Sequence, residues 1–342
     1  MRIGVLTGGG DAPGLNAVVR ALTIRATQLG HEVVGIRRGW SGLYDRVETV
    51  SLSPTDVTEI IDEPGTILLT SRTQPLKDQD GVRKVEENMK KLGIDALVAI
   101  GGDDTLGVAR KLSERGIKVV GVPKTIDNDV PGTDFTFGFM TAVEEATEAL
   151  DKLKATARSH ERVMVVEIMG RHAGWIALYS GIAAGADMIL VPEEPFTIAD
   201  VVELVRRKKE GGRGSLLIVV AEGAVIRDYA GPVTKNVKED QFGNVTLGGI
   251  GEFLAETIEQ ETGFETRAVA PAHIIRGRRP IAFDRVLGTR FGLKAAELVE
   301  QGKFGRMVAL QGTRVTDVDI QESLVGTRNV DKQFLSEKNL LF

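Results

Sequence analysis

Short apolar runs punctuate the chain, and the stretches between them carry apolar residues at helical spacing. Ile3–Leu6, Val33–Ile36, Ala96–Ile100, Val119–Val122, Val163–Ile168, Met188–Val191, Leu216–Ala221 and Met307–Leu310 read as buried strands, because almost no polar residue interrupts them. Helical periodicity predicts helices over about 14–29, 79–93, 104–115, 138–158, 172–184, 197–210, 249–262 and 281–301. Such alternation predicts an α/β fold with largely parallel sheets, and the length suits two Rossmann-like lobes. Right-handed crossovers then place most connecting loops at the carboxyl ends of the strands. Gly211–Gly214 reads as a turn. Residues 227–250, Gly-rich and polar, read as a hairpin or surface excursion.

Composition narrows the function classes. The chain has 342 residues, 42% of them hydrophobic, enough for one large core or two moderate ones. A net charge of -5 gives no support for a nucleic-acid partner, because a phosphate backbone needs a basic face. There is no cysteine, so disulfides and thiolate metal sites are excluded. The first apolar run is too short for a signal peptide, and no stretch reaches the roughly 20 apolar residues of a membrane span. A cytoplasmic protein is expected. The four histidines (His31, His160, His172, His273) lack zinc-ligand spacing.

Forty glycines exceed the usual share and concentrate attention on strand-to-helix turns. Gly8-Gly9-Gly10-Asp11-Ala12-Pro13-Gly14 follows the first strand, and Gly101-Gly102-Asp103-Asp104 follows another. Turns of this kind suit phosphate, since glycine lets backbone approach and helix N-termini present N–H groups. Neither turn is a dinucleotide fingerprint or a P-loop. The bland alternatives are a tight turn at the first site and a helix N-cap at Asp103 or Asp104. The chemical alternative makes Asp103 a ligand for Mg²⁺ carried by phosphates.

Pro123-Lys124-Thr125-Ile126-Asp127-Asn128-Asp129-Val130-Pro131 follows the strand ending at Val122. The two prolines argue against helix. In an extended stretch Asp127 and Asp129 project to one side. A solvated acidic loop is the plain alternative. Phosphoryl transfer to an alcohol would give the pair distinct work: one carboxylate as base, the other in a metal shell.

Taken in order, Gly-Gly-Asp-Ala-Pro-Gly (9–14), Gly-Gly-Asp-x-Thr (101–105), Thr-Ile-Asp-Asn-Asp (125–129) and Met-Gly-Arg (169–171) resemble the bacterial-type 6-phosphofructokinase family. Ala221-Glu222-Gly223, Glu265-Thr266-Arg267 and His273-Ile274-Ile275-Arg276 extend the resemblance, which spans roughly residues 1–310. It implies the phosphofructokinase fold, Mg²⁺ as cofactor, and fructose 6-phosphate as acceptor. Asp127 would accept the proton of the sugar 1-hydroxyl. Asp103 would hold Mg²⁺, and Gly10, Arg72 and Thr105 would line the donor phosphates. Thr125 and Asp129 would border sugar and metal. Met169, Gly170 and Arg171 would face the sugar, with Arg171 neutralising the transition state, and Glu222 would bind sugar hydroxyls. Arg162, Arg267, His273 and Arg276 would hold the 6-phosphate. Arg162 and Arg267 would come from a neighbouring subunit, which implies a homodimer or homotetramer with shared active sites. By the same resemblance, residues 1–138 with about 280–305 form the donor lobe, and 139–279 with 306–342 the sugar-phosphate lobe. Without the resemblance, each arginine would read as surface charge, His273 as a buried structural histidine and Met169 as core filler.

The donor is read from one position. ATP users of the family typically have Gly where this chain has Asp104. A carboxylate there would crowd and repel the α-phosphate of a nucleotide, whereas pyrophosphate lacks that part. Lys124 would offset local negative charge and reach the donor phosphate as a point charge. Asp104 with Lys124 resembles the pyrophosphate-dependent branch, so a readily reversible pyrophosphate–fructose 6-phosphate phosphotransferase is expected, serving glycolysis and gluconeogenesis. An ATP-dependent 6-phosphofructokinase is the alternative. NAD or lipid kinase chemistry would lack the 125–129 and 169–171 segments. A non-catalytic sugar-phosphate sensor would have lost Asp103, Asp127 or Asp129. Ala272-His273-Ile274-Ile275-Arg276-Gly277-Arg278 departs from the family's Gly-His-x-Gln-Arg-Gly-Gly. The 6-phosphate loop would then be more basic or shaped differently, and sedoheptulose 7-phosphate is a second candidate acceptor. Effector-site arginines do not match, so weak or absent allosteric control is expected.

Overall fold

The structure is a computed structural model that describes residues 1–227, 229 and 247–341. Most of the 227–250 excursion therefore lies outside the described residues. By their internal contacts the residues form two compact units. The first comprises Met1–Ile126, Val130–Thr141 and Arg276–Gly326, the second Asp127–Asp129, Ala142–Ile275 and Thr327–Phe342.

The first unit is built on a seven-stranded sheet. Its strands are β1 (Arg2–Thr7), β2 (Glu32–Ile36), β3 (Thr49–Leu52), β4 (Ala96–Gly101) and β5 (Val119–Pro123), with β10 (Arg306–Gln311) and β11 (Arg314–Asp319) from late in the chain. Their order is β11-β10-β5-β4-β1-β2-β3; β3 and β11 run antiparallel at the two edges and the other neighbours pair parallel. Side chains alternate between two buried faces, as strand geometry requires. Ile3 and Val5, Val98 and Ile100, Val120 and Val122, and Val308 and Leu310 enter one core with α1 (Leu15–Gln28) and α9 (Ala282–Glu300). Leu6, Leu97 and Ala99, Val119 and Met307 enter the other with α3 (Gly81–Lys91) and α4 (Asp103–Glu114). A four-residue helix, α2 (Ser41–Tyr44), follows β2.

In the second unit β6 (Val163–Ile168), β7 (Met188–Leu190), β8 (Leu216–Ala221) and β9 (Thr266–Val269) form an all-parallel sheet in the order β7-β8-β6-β9. One face packs on α7 (Ile198–Glu210) and α8 (Ile250–Thr262). The long α5 (Phe139–His160), α6 (Trp175–Ala184) and α11 (Lys332–Asn339), with a short α10 (Ile320–Ser323) that belongs to the first unit, complete the described α-helices. Among the described residues no helix is long and apolar enough to cross a membrane.

The α/β class with mostly parallel sheets agrees with the sequence pattern. Three strands escaped it, β3, β9 and β11, and each is a sheet edge with polar residues in its run. Residues 306–326 also differ from expectation. They belong to the first unit, because β10 pairs with β5 and carries β11 with it.

A buried carboxylate braces the start of the first glycine turn's helix. Asp284, in the first turn of α9, is fully buried and accepts from Thr141 N (2.7 Å) and Thr141 Oγ1 (2.5 Å). Thr141 Oγ1 in turn accepts from Ile281 N (3.0 Å). Gly14 lies on this brace: a Cβ there would stand 3.2 Å from the Asp284 carbonyl oxygen, and its φ is +99°. Burial pushes the Asp284 carboxyl from 3.8 up to about 6, against the Thr141 hydrogen bonds and the Gly138 amide. The folded state therefore holds this proton more tightly than the unfolded chain. Its contribution is fully present below the unfolded value and is lost as pH rises through about 6. In Asp284→Asn that slope disappears. Relative to the parent, the variant's unfolding midpoint should improve between about pH 4 and pH 6.5 and then level off, equivalent to at most about 3 kcal/mol. Parallel pH curves for the two proteins would remove Asp284 from this role.

Candidate active site

In the first unit two strand-to-helix turns stand side by side. β1 leads into Gly8–Gly14 and then α1; β4 leads into Gly102 and then α4. Gly8 N donates to Ile100 O (2.9 Å), which ties the turns together. Thr105 fixes their spacing. It is 2% exposed, and a Cβ at Gly8 or Gly101 would come within 2.6 Å or 2.3 Å of its side chain. The glycines leave room for that threonine, so Thr105 acts first by packing, a role the motif alone did not reveal. At α4 the cap position is taken by Gly102, and no side chain caps the helix. Asp103 and Asp104 thus sit in the first helical turn, Asp103 exposed and Asp104 half-buried, where the helix dipole favours negative charge. The N-cap alternative for either aspartate does not hold.

Cations converge on the first turn. Lys124 follows β5, is 3% exposed, and its Nζ donates to Gly10 O. A Cβ at Gly9, whose φ is +80°, would lie 3.6 Å from that Nζ. Thr70 Oγ1 donates to Gly9 O (2.6 Å), Gly9 N donates to Ser71 O (3.1 Å), and Ser71 Oγ donates to Arg38 O (2.6 Å). These bonds seat Thr70-Ser71 against the turn and place the exposed Arg72 next to it. Arg276 was expected among the 6-phosphate residues. Here it groups with the first unit: its Nη1 donates to Asp11 O (2.9 Å) and stands 3.0 Å from where a Gly10 Cβ would be. Thr125 also belongs to this unit, its carbonyl accepting from Thr136 Oγ1 (2.8 Å).

The unit division falls inside the acidic segment, so Asp127, Asn128 and Asp129 group with the second unit. Asp127 is 5% exposed, which excludes a solvated loop at that position. Asn128 holds a left-handed backbone, φ +54°. In the same unit, Met169, Gly170 and Arg171 follow β6. Arg171 is also left-handed, φ +52°. Glu222 Oε1 accepts from Gly170 N (3.1 Å) and Arg171 N (2.8 Å), which fixes the backbone of that loop. Burial raises the Glu222 pKa. The Gly170 and Arg171 amides oppose the rise, and the charges of Asp127 and Glu167 add to it. Gly223 has no alternative, since a Cβ there would come 1.9 Å from Arg171 O. Met169 is half-buried, not core filler.

Arg162 and Arg267 are drawn together by Glu265, whose carboxylate meets Arg162 Nε at 2.8 Å and Arg267 Nη2 at 2.7 Å. The hydrogen bond and charge of Arg162 hold the Glu265 carboxyl below its usual range. Glu265 was part of a matched motif, but its bracketing of two arginines was not legible there. His273 is exposed on a short 3-10 helix, Ala272–Arg276, anchored by buried Ile275, so the structural-histidine alternative fails.

Could these residues hold Mg²⁺? Among the described residues no cluster of three His, Asp or Glu could hold a metal. Mg²⁺ on a phosphate donor needs only one or two carboxylates, the rest of its shell being phosphate and water oxygens. An exposed Asp103 at a phosphate-suited helix terminus fits that donor set.

The family model described as phosphofructokinase matches residues 2–299. The pyrophosphate–fructose 6-phosphate 1-phosphotransferase of Amycolatopsis methanolica is 52% identical over 343 residues, covering 100% of each chain. The ATP-dependent 6-phosphofructokinase 2 of Streptomyces coelicolor is 48% identical over 344 residues, again covering 100% of each. Phosphofructokinase from Saccharomyces cerevisiae superposes with a TM-score of 0.80 at 30% identity, over 99% of this chain and 46% of that one.

Proposed function

The chain belongs to the phosphofructokinase family, and from that premise we propose that it transfers a phosphoryl group from pyrophosphate to the 1-hydroxyl of fructose 6-phosphate. The products are fructose 1,6-bisphosphate and orthophosphate. The single observation that carries the donor is Asp104 in the first turn of α4, beside glycine turns spanned by Lys124. Names of the relatives weigh the same way, but lightly, since an ATP-dependent one is 48% identical.

The residues divide the work. The two turns and their helix N-termini receive the pyrophosphate, aided by Gly10, Thr105, Arg72 and Lys124. Asp103 would hold Mg²⁺, which supplies charge neutralisation on the phosphoryl oxygens. Asp127 accepts the hydroxyl proton as the new O–P bond forms and the bridging P–O bond of pyrophosphate breaks. Asp129 and Thr125 border this chemistry. Arg171 offsets developing charge, and Met169, Gly170 and Glu222 receive the sugar. Glu222 binds sugar hydroxyls through carboxylate oxygens that the Gly170 and Arg171 amides hold in place. Arg162, Arg267 and His273 take the 6-phosphate, with the first two serving a neighbouring subunit of a homodimer or homotetramer. Arg276, expected with them on the 6-phosphate, is held at Asp11 O beside Gly10. The first unit is then the donor lobe and the second the sugar-phosphate lobe. A reversible glycolytic and gluconeogenic role follows from this chemistry, and we assign the protein to the cytoplasm, where its sugar-phosphate substrate is made.

One assay decides the donor. Purified protein with Mg²⁺ and fructose 6-phosphate should release fructose 1,6-bisphosphate with pyrophosphate, and at least about 100-fold more slowly with ATP. Turnover with ATP alone would overturn the reading in favour of the ATP-dependent alternative.

A further inference from the structure

We propose that Arg328 is a positioning residue for the proton acceptor, an inference that rests on the assignment of Asp127 above. Within the second unit, one residue grips two successive carbonyls of the acidic segment. Arg328 Nη1 donates to Asn128 O (3.0 Å), and Arg328 N donates to Asp129 O (2.8 Å). Arg328 is itself fixed from behind. Its guanidinium lies over the Trp175 ring, 4.3 Å from the centroid, and Trp175 Nε1 donates to Arg328 O (2.8 Å).

The segment so held needs holding. Asn128 is left-handed, a conformation that asparagine tolerates better than most residues but that still costs energy and gains from being held. It lies between the two carboxylates and breaks the extended alternation expected of this stretch, so the relative placement of Asp127 and Asp129 depends on its backbone. Arg328 acts on the carbonyl of Asn128 and on the next one, the two whose directions report that backbone turn.

The other end of the grip leads to the Met-Gly-Arg loop. Trp175 is the first residue of α6, directly after Gly174. Gly174 N donates to both oxygens of Glu193 (3.0 and 3.1 Å), and Val330 N donates to Glu193 Oε1 (3.0 Å). The chain around Arg328 is thus clamped to the helix that begins where the sugar-facing loop ends. Farther along, Lys338 on α11 is buried, and its Nζ donates to Glu194 Oε2. The C-terminal segment therefore reaches the acidic segment from a docked position, and Arg328 is a point of contact.

Misplacing a reacting group by about 1 Å costs roughly 100-fold in rate. Arg328→Ala should therefore lower kcat about 10- to 100-fold while KM for fructose 6-phosphate and for pyrophosphate stays within about threefold. Arg328→Lys keeps the charge and one donor but loses the flat stack on Trp175, so its kcat should fall between the two. Added guanidinium ion, at concentrations far below denaturing, should restore part of the Arg328→Ala activity. Should Arg328→Ala not fold, the same kcat-against-KM split in Arg328→Lys decides the matter. A kcat within twofold of the parent, or a loss confined to KM, would overturn the inference. Asp127→Asn is measured alongside. If it is inactive while Arg328→Ala is normal, only the positioning role fails; if it is active, the assignment of Asp127 fails first.

Discussion

Replacing Asp127 by Asn is expected to lower kcat by about 10³- to 10⁴-fold, at the upper end of what a general base contributes. Fructose 6-phosphate should still bind, with KM changed only a few-fold, because Asn preserves size and one acceptor oxygen. The argument rests on placement. Asp127 is almost fully buried, in the same unit as Arg171 and Glu222, and its charge already raises the Glu222 pKa. Removing that charge should lower the Glu222 pKa, so a shift in pH dependence accompanies the loss of rate. The check is steady-state kinetics of the variant with pyrophosphate across pH. Turnover equal to the parent's would take the proton-acceptor role away from Asp127.

Asp104→Gly should move the donor preference. A carboxylate about 5 Å from a nucleotide α-phosphate costs on the order of 2–3 kcal/mol at an effective dielectric near 20, and steric crowding adds to it. Glycine removes both, so ATP-supported kcat/KM should rise roughly 30- to 100-fold. Pyrophosphate use should fall less, because the turns, Lys124 and Arg72 remain. Glycine in this half-buried first turn costs about 1 kcal/mol of helix stability, so folding is not the determinant. The measurement is the ratio of kcat/KM for the two donors in parent and variant. An unchanged ratio would mean that Asp104 does not exclude the nucleotide.

Much of this molecule was legible before any coordinates. The strands through Ile3–Leu6, Ala96–Ile100, Val119–Val122 and Met307–Leu310 are apolar because helices cover both faces of their sheet, and such burial leaves its mark in composition. The edge strands β3, β9 and β11 left no such mark, since one side of an edge is free to carry Thr, Arg or Asp. The glycine turns were visible as motifs. Their reason was not: Gly8 and Gly101 are small because Thr105 lies between them.

The site divides in the same way. Asp103, Asp104, Asp127, Arg171 and Glu222 could be named from short motifs, because close backbone turns and the chemistry beside them sit in consecutive residues. Only the tertiary structure decided that Lys124 is buried against Gly10, that Arg276 reaches Asp11, that Glu265 gathers Arg162 and Arg267, and that Arg328 holds Asn128 and Asp129 from 200 residues away. The sequence by itself determined the fold class, the family resemblance and the chemical inventory, since these depend on local periodicity and on residue type. Partners were decided by the fold, because a hydrogen bond or ion pair depends on distance in space, and a chain records only distance along itself.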